Sequence, residues 1–247
     1  MKIMLIVRSM LFHLGYVLTT VVWGTLGLLT GWLLPYRARF HYIIVTWTRL
    51  VLAWLRITCG IQHHIEGREN LPDEPCVVLV RHESTWETLF VQALLAPQAT
   101  VIKRELLWIP FFGWAYSMLR PIAIDRSDAR GALRSLIRIG RERLKDGAWV
   151  ILFPEGTRMA PGESGRFQRG GAALANAAGC PLVVIAHDAG RYWPARRWVK
   201  RPGTIRVEIS KPIVTVGRSS SEVNAEAESW MRDATARLYT SHDLQTK

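Results

Sequence analysis

From Met10 to Leu34 the chain reads MLFHLGYVLTTVVWGTLGLLTGWLL, a run with no formal charge. At 1.5 Å per residue, a helix of this length spans roughly 37 Å, more than the roughly 30 Å hydrocarbon core of a bilayer. The run is too long for a signal-peptide core, and no small-residue cleavage site follows it. Trp23 and Trp32 supply amphipathic rings, and Pro35 marks a stop. The stretch therefore predicts a membrane-embedded helix, beside which the rest of the chain must fold.

The segment Phe40 to Ile57 differs. Arg49 and Arg56 interrupt an apolar pattern that includes Ile44, Trp47, Val51, Leu52, Trp54 and Leu55. An amphipathic interfacial helix with snorkelling arginines fits this pattern, and a core helix of the soluble body is the competing reading. Arg37, Arg39, Arg49 and Arg56 after the first helix outnumber Lys2 and Arg8 before it. The positive-inside bias thus predicts a body facing the cytoplasm, at a bacterial-type inner membrane. On this reading residues 1–60 are membrane-anchoring helices and residues 61–247 form one catalytic domain.

Beyond Ile61, short apolar runs alternate with amphipathic stretches, which excludes a polytopic transporter; 49% hydrophobic residues exclude a disordered chain. The runs are Cys76–Val80, Thr100–Lys103, Pro121–Asp125, Trp149–Phe153, Pro181–Ala186 and Thr204–Ile209. Helical patterns cover Thr85–Leu95, Asp128–Lys145, Gly171–Ala178 and Ser221–Tyr239, the last with a capping box at Ser219 and Glu222. The order predicts an α/β fold with a mostly parallel central sheet flanked by helices. The net charge of +12 points to an anionic partner: nucleic acid, a lipid surface or a phosphorylated substrate. Cys59, Cys76 and Cys180 show no metal-ligand or disulfide spacing. The basic loop RRWVKR (Arg196 to Arg201) reads as solvated surface, and so does the pair His187-Asp188, with facing the site as the competing reading because the pair follows a strand run.

Four segments follow strand runs, where open α/β sheets place ligands. In HESTWE, His82 leaves a strand and Glu87 enters the next helix, so the turn can bring carboxylate to imidazole and make a tunable general base. Trp86 stands where an HExxH zinc site needs its second His. In FPEGTR, Gly156 permits a tight turn and Arg158 can grip a phosphate bidentately. In KRELLWIPFFG, Lys103 is a candidate phosphate contact and the aromatic run a candidate acyl groove or core. Ile124-Asp125-Arg126 closes another strand with a cation.

Together HESTWE, KRELLWIPFFG, IDR, FPEGTR and PLVVIA resemble, in order and approximate spacing, the 1-acylglycerol-3-phosphate O-acyltransferases of the glycerolipid acyltransferase superfamily. The resemblance covers about residues 61–212. It implies acyl transfer from an acyl-carrier protein or coenzyme A thioester to the sn-2 hydroxyl of lysophosphatidate, giving phosphatidate for phospholipid synthesis. It implies His82 as general base, Glu87 as orienting acid, and Lys103, Arg126, Glu155, Gly156, Thr157 and Arg158 around the substrate phosphate. Gly113 would shape the acyl pocket, and neither metal nor cofactor is required. Three departures stand out: Glu87 for the usual Asp, Met159 for a frequent Ser, and Ile185 for a second Pro.

Rival readings are an acyltransferase for a lyso-ornithine lipid or lysophosphatidylglycerol, and a non-catalytic membrane protein binding anionic lipid or nucleic acid. No helix-turn-helix, RNP or finger pattern favours nucleic acid. A serine hydrolase lacks its GxSxG, and Ser84 sits too close in sequence to His82 for that role.

Overall fold

The charge-free run forms helix α1 (Lys2–Thr30), which a 3₁₀ turn at Gly31–Leu33 extends. The helix begins well before Met10 because Arg8 finds a partner inside the protein: its Nε donates to the Thr58 carbonyl at 2.5 Å. After Pro35, α2 (Tyr36–Phe40), a π turn at His41–Val45 and α3 (Thr46–Cys59) return as one rod packed along α1. The approach is close at Gly15, where a Cβ would stand 2.2 Å from Trp54 Nε1. Both rods are long and apolar enough to cross a membrane. Helix α1 turns Ile3, Met10, Leu14, Leu18 and Leu29 outward. Helix α3 buries Trp47, Val51 and Leu55 and leaves Arg49 and Arg56 exposed, so one face is core and the other is charged.

The computed structural model describes residues 2–125 and 128–243. Gly60, at φ 68°, ends α3 in the left-handed conformation that glycine adopts without a Cβ clash. Strand β1 (Ile61–Glu66) follows, then β2 (Val77–Val80), α4 (Trp86–Leu94), β3 (Gln98–Lys103), α5 (Phe112–Ser117), β4 (Ile122–Ile124) and α6 (Ala129–Lys145). The chain continues through β5 (Trp149–Leu152), α7 (Gly170–Ala178), β6 (Leu182–His187), β7 (Gly203–Ile209) and α8 (Ser220–Asp243). The sheet order is β1-β7-β6-β2-β5-β3-β4, parallel throughout except for the β6–β7 pair.

Central strand β2 shows why the fold closes. Val78 and Val80 pack into the core shared with α3 and α4, while Val77 and Leu79 pack into the core under α7 and α8. Each such buried aliphatic side chain contributes about 1.5–3 kcal/mol. Helix α8 starts at the expected capping box, with Ser219 N–H donating to Glu222 Oε2 at 2.8 Å and Glu222 N–H to Ser219 Oγ at 3.2 Å. It buries Val223, Ala227, Met231, Ala234 and Leu238.

Two expectations fail. His187 and Asp188 are fully buried, not a surface pair, because β6 runs on into the interior and β7 folds back over it. Lys200, in the supposedly solvated basic loop, is 1% exposed. Its ammonium lies 4.7 Å from the Phe12 ring and 4.4 Å from that of Trp193, and its backbone N–H donates to Ser9 Oγ. This loop is what holds the first half of α1 against the domain.

Candidate active site

Strand β2 delivers His82 to the carboxyl edge of the sheet. The chain turns there because Glu87, in the first turn of α4, gathers three donors onto one oxygen. His82 Nδ1 lies 2.8 Å from Glu87 Oε1, which also accepts from the backbone N–H groups of Glu83 (3.2 Å) and Ser84 (3.0 Å). The longer glutamate thus reaches the imidazole while pinning its own loop. The His82 ring stacks on Phe153 with centroids 4.3 Å apart. With Nδ1 engaged, Nε2 is the ring nitrogen left free to act as a base.

His82 opens into a cleft of about 910 Å³. Lys103 at the end of β3 and the turn Gly156-Thr157-Arg158 after β5 line the same cleft. Lys103 and Arg158 are exposed, and neither has an acidic partner among the described residues. Beside these cations the wall becomes apolar, built by Val101, Ile102, Leu106, Ile109, Phe112 and Tyr116. The sheet edge therefore brings a histidine–carboxylate pair, two unpaired cations and an apolar slot into one cavity.

Two other expected site residues, Glu155 and Gly113, lie outside the cleft lining. Glu155 is 8% exposed and faces a separate cavity with Ser164, Gly165, Phe167 and Met231, away from the phosphate contacts expected of it. Phe153, Gly156, Thr157 and Arg158 line the catalytic cleft, while Glu155 between them turns to the other cavity. Burial, against weaker opposition from nearby amides and Arg81, pushes Glu155 up to about 7, and neither of its carboxylate oxygens meets hydrogen-bond geometry. Gly113 sits behind the slot, with its Cα turned to the Leu106 and Leu107 carbonyls. Arg126 lies outside the described residues. Ser84 is buried, with Oγ donating to the Trp193 carbonyl at 2.5 Å, which leaves no serine nucleophile there.

Sequence reasoning missed three contributors. Helix α1 lines the cleft with Tyr16, Val17, Thr20 and Val21, and Trp47 of α3 joins them. The signal was present as pairs spaced four apart on one helical face. Arg196 adds a third cation at the rim. Behind the histidine, Arg81 Nε donates to Glu83 Oε2 at 2.8 Å, both fully buried, and Tyr239 Oη of α8 donates to Glu83 Oε1 at 3.0 Å. Burial opposes the charged form of Glu83, but His187, Arg81 and the Gly190 amide outweigh it and hold the carboxyl below its ordinary range. His187 Nε2 lies 2.9 Å from the Arg81 carbonyl; burial opposes its protonation, and Glu83 and Glu87 more than offset this, so its pKa is raised.

The family model described as acyltransferase matches residues 62–188. A 1-acyl-sn-glycerol-3-phosphate acyltransferase of Pseudomonas aeruginosa is 46% identical over 94% of this chain and 91% of its own. The chain belongs to the 1-acyl-sn-glycerol-3-phosphate acyltransferase family. The alpha form from Mus musculus is 31% identical over 73% of this acyltransferase and 65% of its own length. The crystal structure of PlsC, the 1-acyl-sn-glycerophosphate acyltransferase from Thermotoga maritima, superimposes with a TM-score of 0.79 at 25% identity, covering 96% of this chain and 97% of that one. The α/β architecture is therefore that of a known acyltransferase, and the non-catalytic readings fall away.

Proposed function

We propose that this acyltransferase moves an acyl group from a soluble thioester, carried by acyl-carrier protein or coenzyme A, to the sn-2 hydroxyl of 1-acylglycerol 3-phosphate. The observation that carries the reading is the shared cleft: His82, Lys103, Arg158 and the apolar wall line one cavity. Lys103 and Arg158 grip the phosphate, and the acyl slot takes the chain. With the headgroup fixed, the sn-2 hydroxyl is held beside His82 Nε2, and orientation supplies much of the acceleration. Nε2 takes the hydroxyl proton as the oxygen attacks the thioester carbon. The new C–O bond forms, the C–S bond breaks, and the imidazolium returns its proton to the departing thiolate. Glu87 holds the ring through Nδ1 and stabilises the imidazolium.

We infer further that the protein sits in one leaflet, with its body in the cytoplasm. Both halves of α1 touch the α/β body: the Lys200 backbone bonds Ser9, while Gly24 lies against Phe111 and Gly31 near Met118. A helix attached at two places along its length lies beside the domain, and its outward apolar face supports seating in the acyl region. Lysophosphatidate then enters the cleft sideways from the bilayer, past Val17 and Val21.

The test is product formation from lysophosphatidate and each thioester in membranes lacking other acyltransferases. His82→Ala should abolish turnover; Glu87→Ala should lose most of it and Glu87→Asp keep part. Arg158→Ala should raise KM more than Arg197→Ala, an exposed cation outside the cleft. Undiminished turnover by His82→Ala, or equal KM values for the two arginine variants, refutes the assignment. A lyso-ornithine lipid or lysophosphatidylglycerol turned over faster than lysophosphatidate would reassign the acceptor.

A further inference from the structure

Helix α4 has two working faces. Thr85, Thr88, Leu89 and Gln92 face the catalytic cleft. Trp86, Phe90, Ala93 and Leu94, spaced four, seven and eight apart, face a second cavity of about 510 Å³ on the other side, against α3 and β1. None of the residues lining the catalytic cleft lines this cavity. Its rim carries Arg49 and Arg56, two turns apart on α3, and Arg68 from the turn after β1. All three are exposed, and none has an acidic partner among the described residues. His63 lines the same cavity, its ring 5.8 Å from Trp86 and 5.2 Å from Phe90.

We propose that this cavity binds the phosphate of an anionic glycerophospholipid drawn from the bilayer, a site separate from the catalytic cleft. Three guanidinium side chains lining one cavity, without acidic partners among the described residues, match a phosphodiester, whose oxygens accept forked N–H bonds. Part of the wall is apolar, formed by Leu52, Ile65 and Leu94 with the aromatic floor, beside Gln62 and His63. A small soluble anion has no use for such walls, whereas a lipid's glycerol and first methylenes do. The neighbouring stripe of α3 exposes Leu50 by 44% and Ile57 by 73%, so the arginines stand beside a surface suited to acyl chains. The proposal rests on the seating of α1 and α3 against a leaflet, which puts this rim at headgroup level.

The test uses full-length protein in detergent, with phosphatidylglycerol or chain-matched phosphatidylcholine, and counts retained lipid by native mass spectrometry. Phosphatidylglycerol should be retained in preference to phosphatidylcholine, and each arginine changed to glutamine should lower retention about fivefold. Arg158→Ala should leave retention unchanged, which separates this site from the cleft. Should the R49Q/R56Q/R68Q variant fold poorly, Arg68→Gln alone, on an exposed turn, carries the test. Wild-type retention by the Arg68→Gln variant overturns the proposal. So does an equal loss in R134Q/R141Q/K211Q, which has the same charge change elsewhere, or displacement of the lipid by excess inorganic phosphate. Flotation with phosphatidylcholine vesicles tests the leaflet seating separately. A protein that fails to float but retains phosphatidylglycerol refutes the seating and leaves the site.

Discussion

Glu155 offers a quantitative test of how the site is built. Its carboxyl is buried without hydrogen-bond geometry at either oxygen, and burial moves it from an ordinary 4.5 to about 7. A raised pKa means that the folded state holds the proton more tightly than the unfolded chain does. This contribution to stability is fully present below about 4.5 and is lost as pH rises through about 7. At about 1.4 kcal/mol per unit, the loss amounts to about 3 kcal/mol at most. Glu155→Gln keeps the shape and removes the titration. The stability difference between variant and wild type should therefore shift in favour of the variant by up to that amount between pH 4.5 and 8. Equilibrium denaturation in detergent micelles, followed by tryptophan fluorescence at several pH values, measures it. A constant offset between the two proteins across that range would refute the buried, proton-holding carboxyl.

Gly113→Ala should destabilise the fold by about 1–3 kcal/mol, because its Cβ would stand 2.4 Å from the Leu106 carbonyl oxygen. A lowered melting temperature with an unchanged acyl-chain profile is the expected result, and a changed profile would return Gly113 to the acyl pocket. Tyr239→Phe removes a hydrogen bond to the buried Glu83 carboxylate and should cost about 1.5–3 kcal/mol. The loss should appear in denaturation midpoints, with the KM for lysophosphatidate unmoved; a raised KM would show that α8 reaches the cleft chemistry.

Sequence periodicity reveals the strands buried on both faces and the helices buried along one stripe, such as α8, but not an edge strand. The runs of β2, β5 and β6 are apolar throughout because helices cover both faces of the sheet, so they were legible. Strand β1 reads IQHHIE and escapes notice because it lies at the sheet edge, paired with β7 alone. Charge misled at Lys200, His187 and Asp188, where the desolvation cost is met by aromatic rings or buried partners from distant parts of the chain. Adjacency misled at Glu155, three residues from Arg158 yet on the other side of the turn. The pairs Tyr16/Thr20 and Val17/Val21 mark one face of α1 in the sequence, but that this face lines the cleft depends on contacts across the whole chain.

The alternation that makes a strand also explains why a costly ion pair stands behind the histidine. The β2 ladder continues past its last residue, with Arg81 N–H donating to the Ile185 carbonyl at 3.0 Å. Successive side chains there point to opposite faces. Arg81 and Glu83 go inward, where Thr235, Tyr239 and the Gly190 amide satisfy them, and His82 goes outward to the cleft. An isosteric apolar pair would be as stable or more so, since burying two charges costs several kcal/mol before their attraction is counted. An apolar pair would, however, tolerate a slip of one residue. With Arg81 and Glu83 in place, a slip would bury the imidazole on a face built for a guanidinium and a carboxylate, and strand their partners. The buried pair thus fixes the register that keeps His82 Nε2 in the cleft and Nδ1 on Glu87.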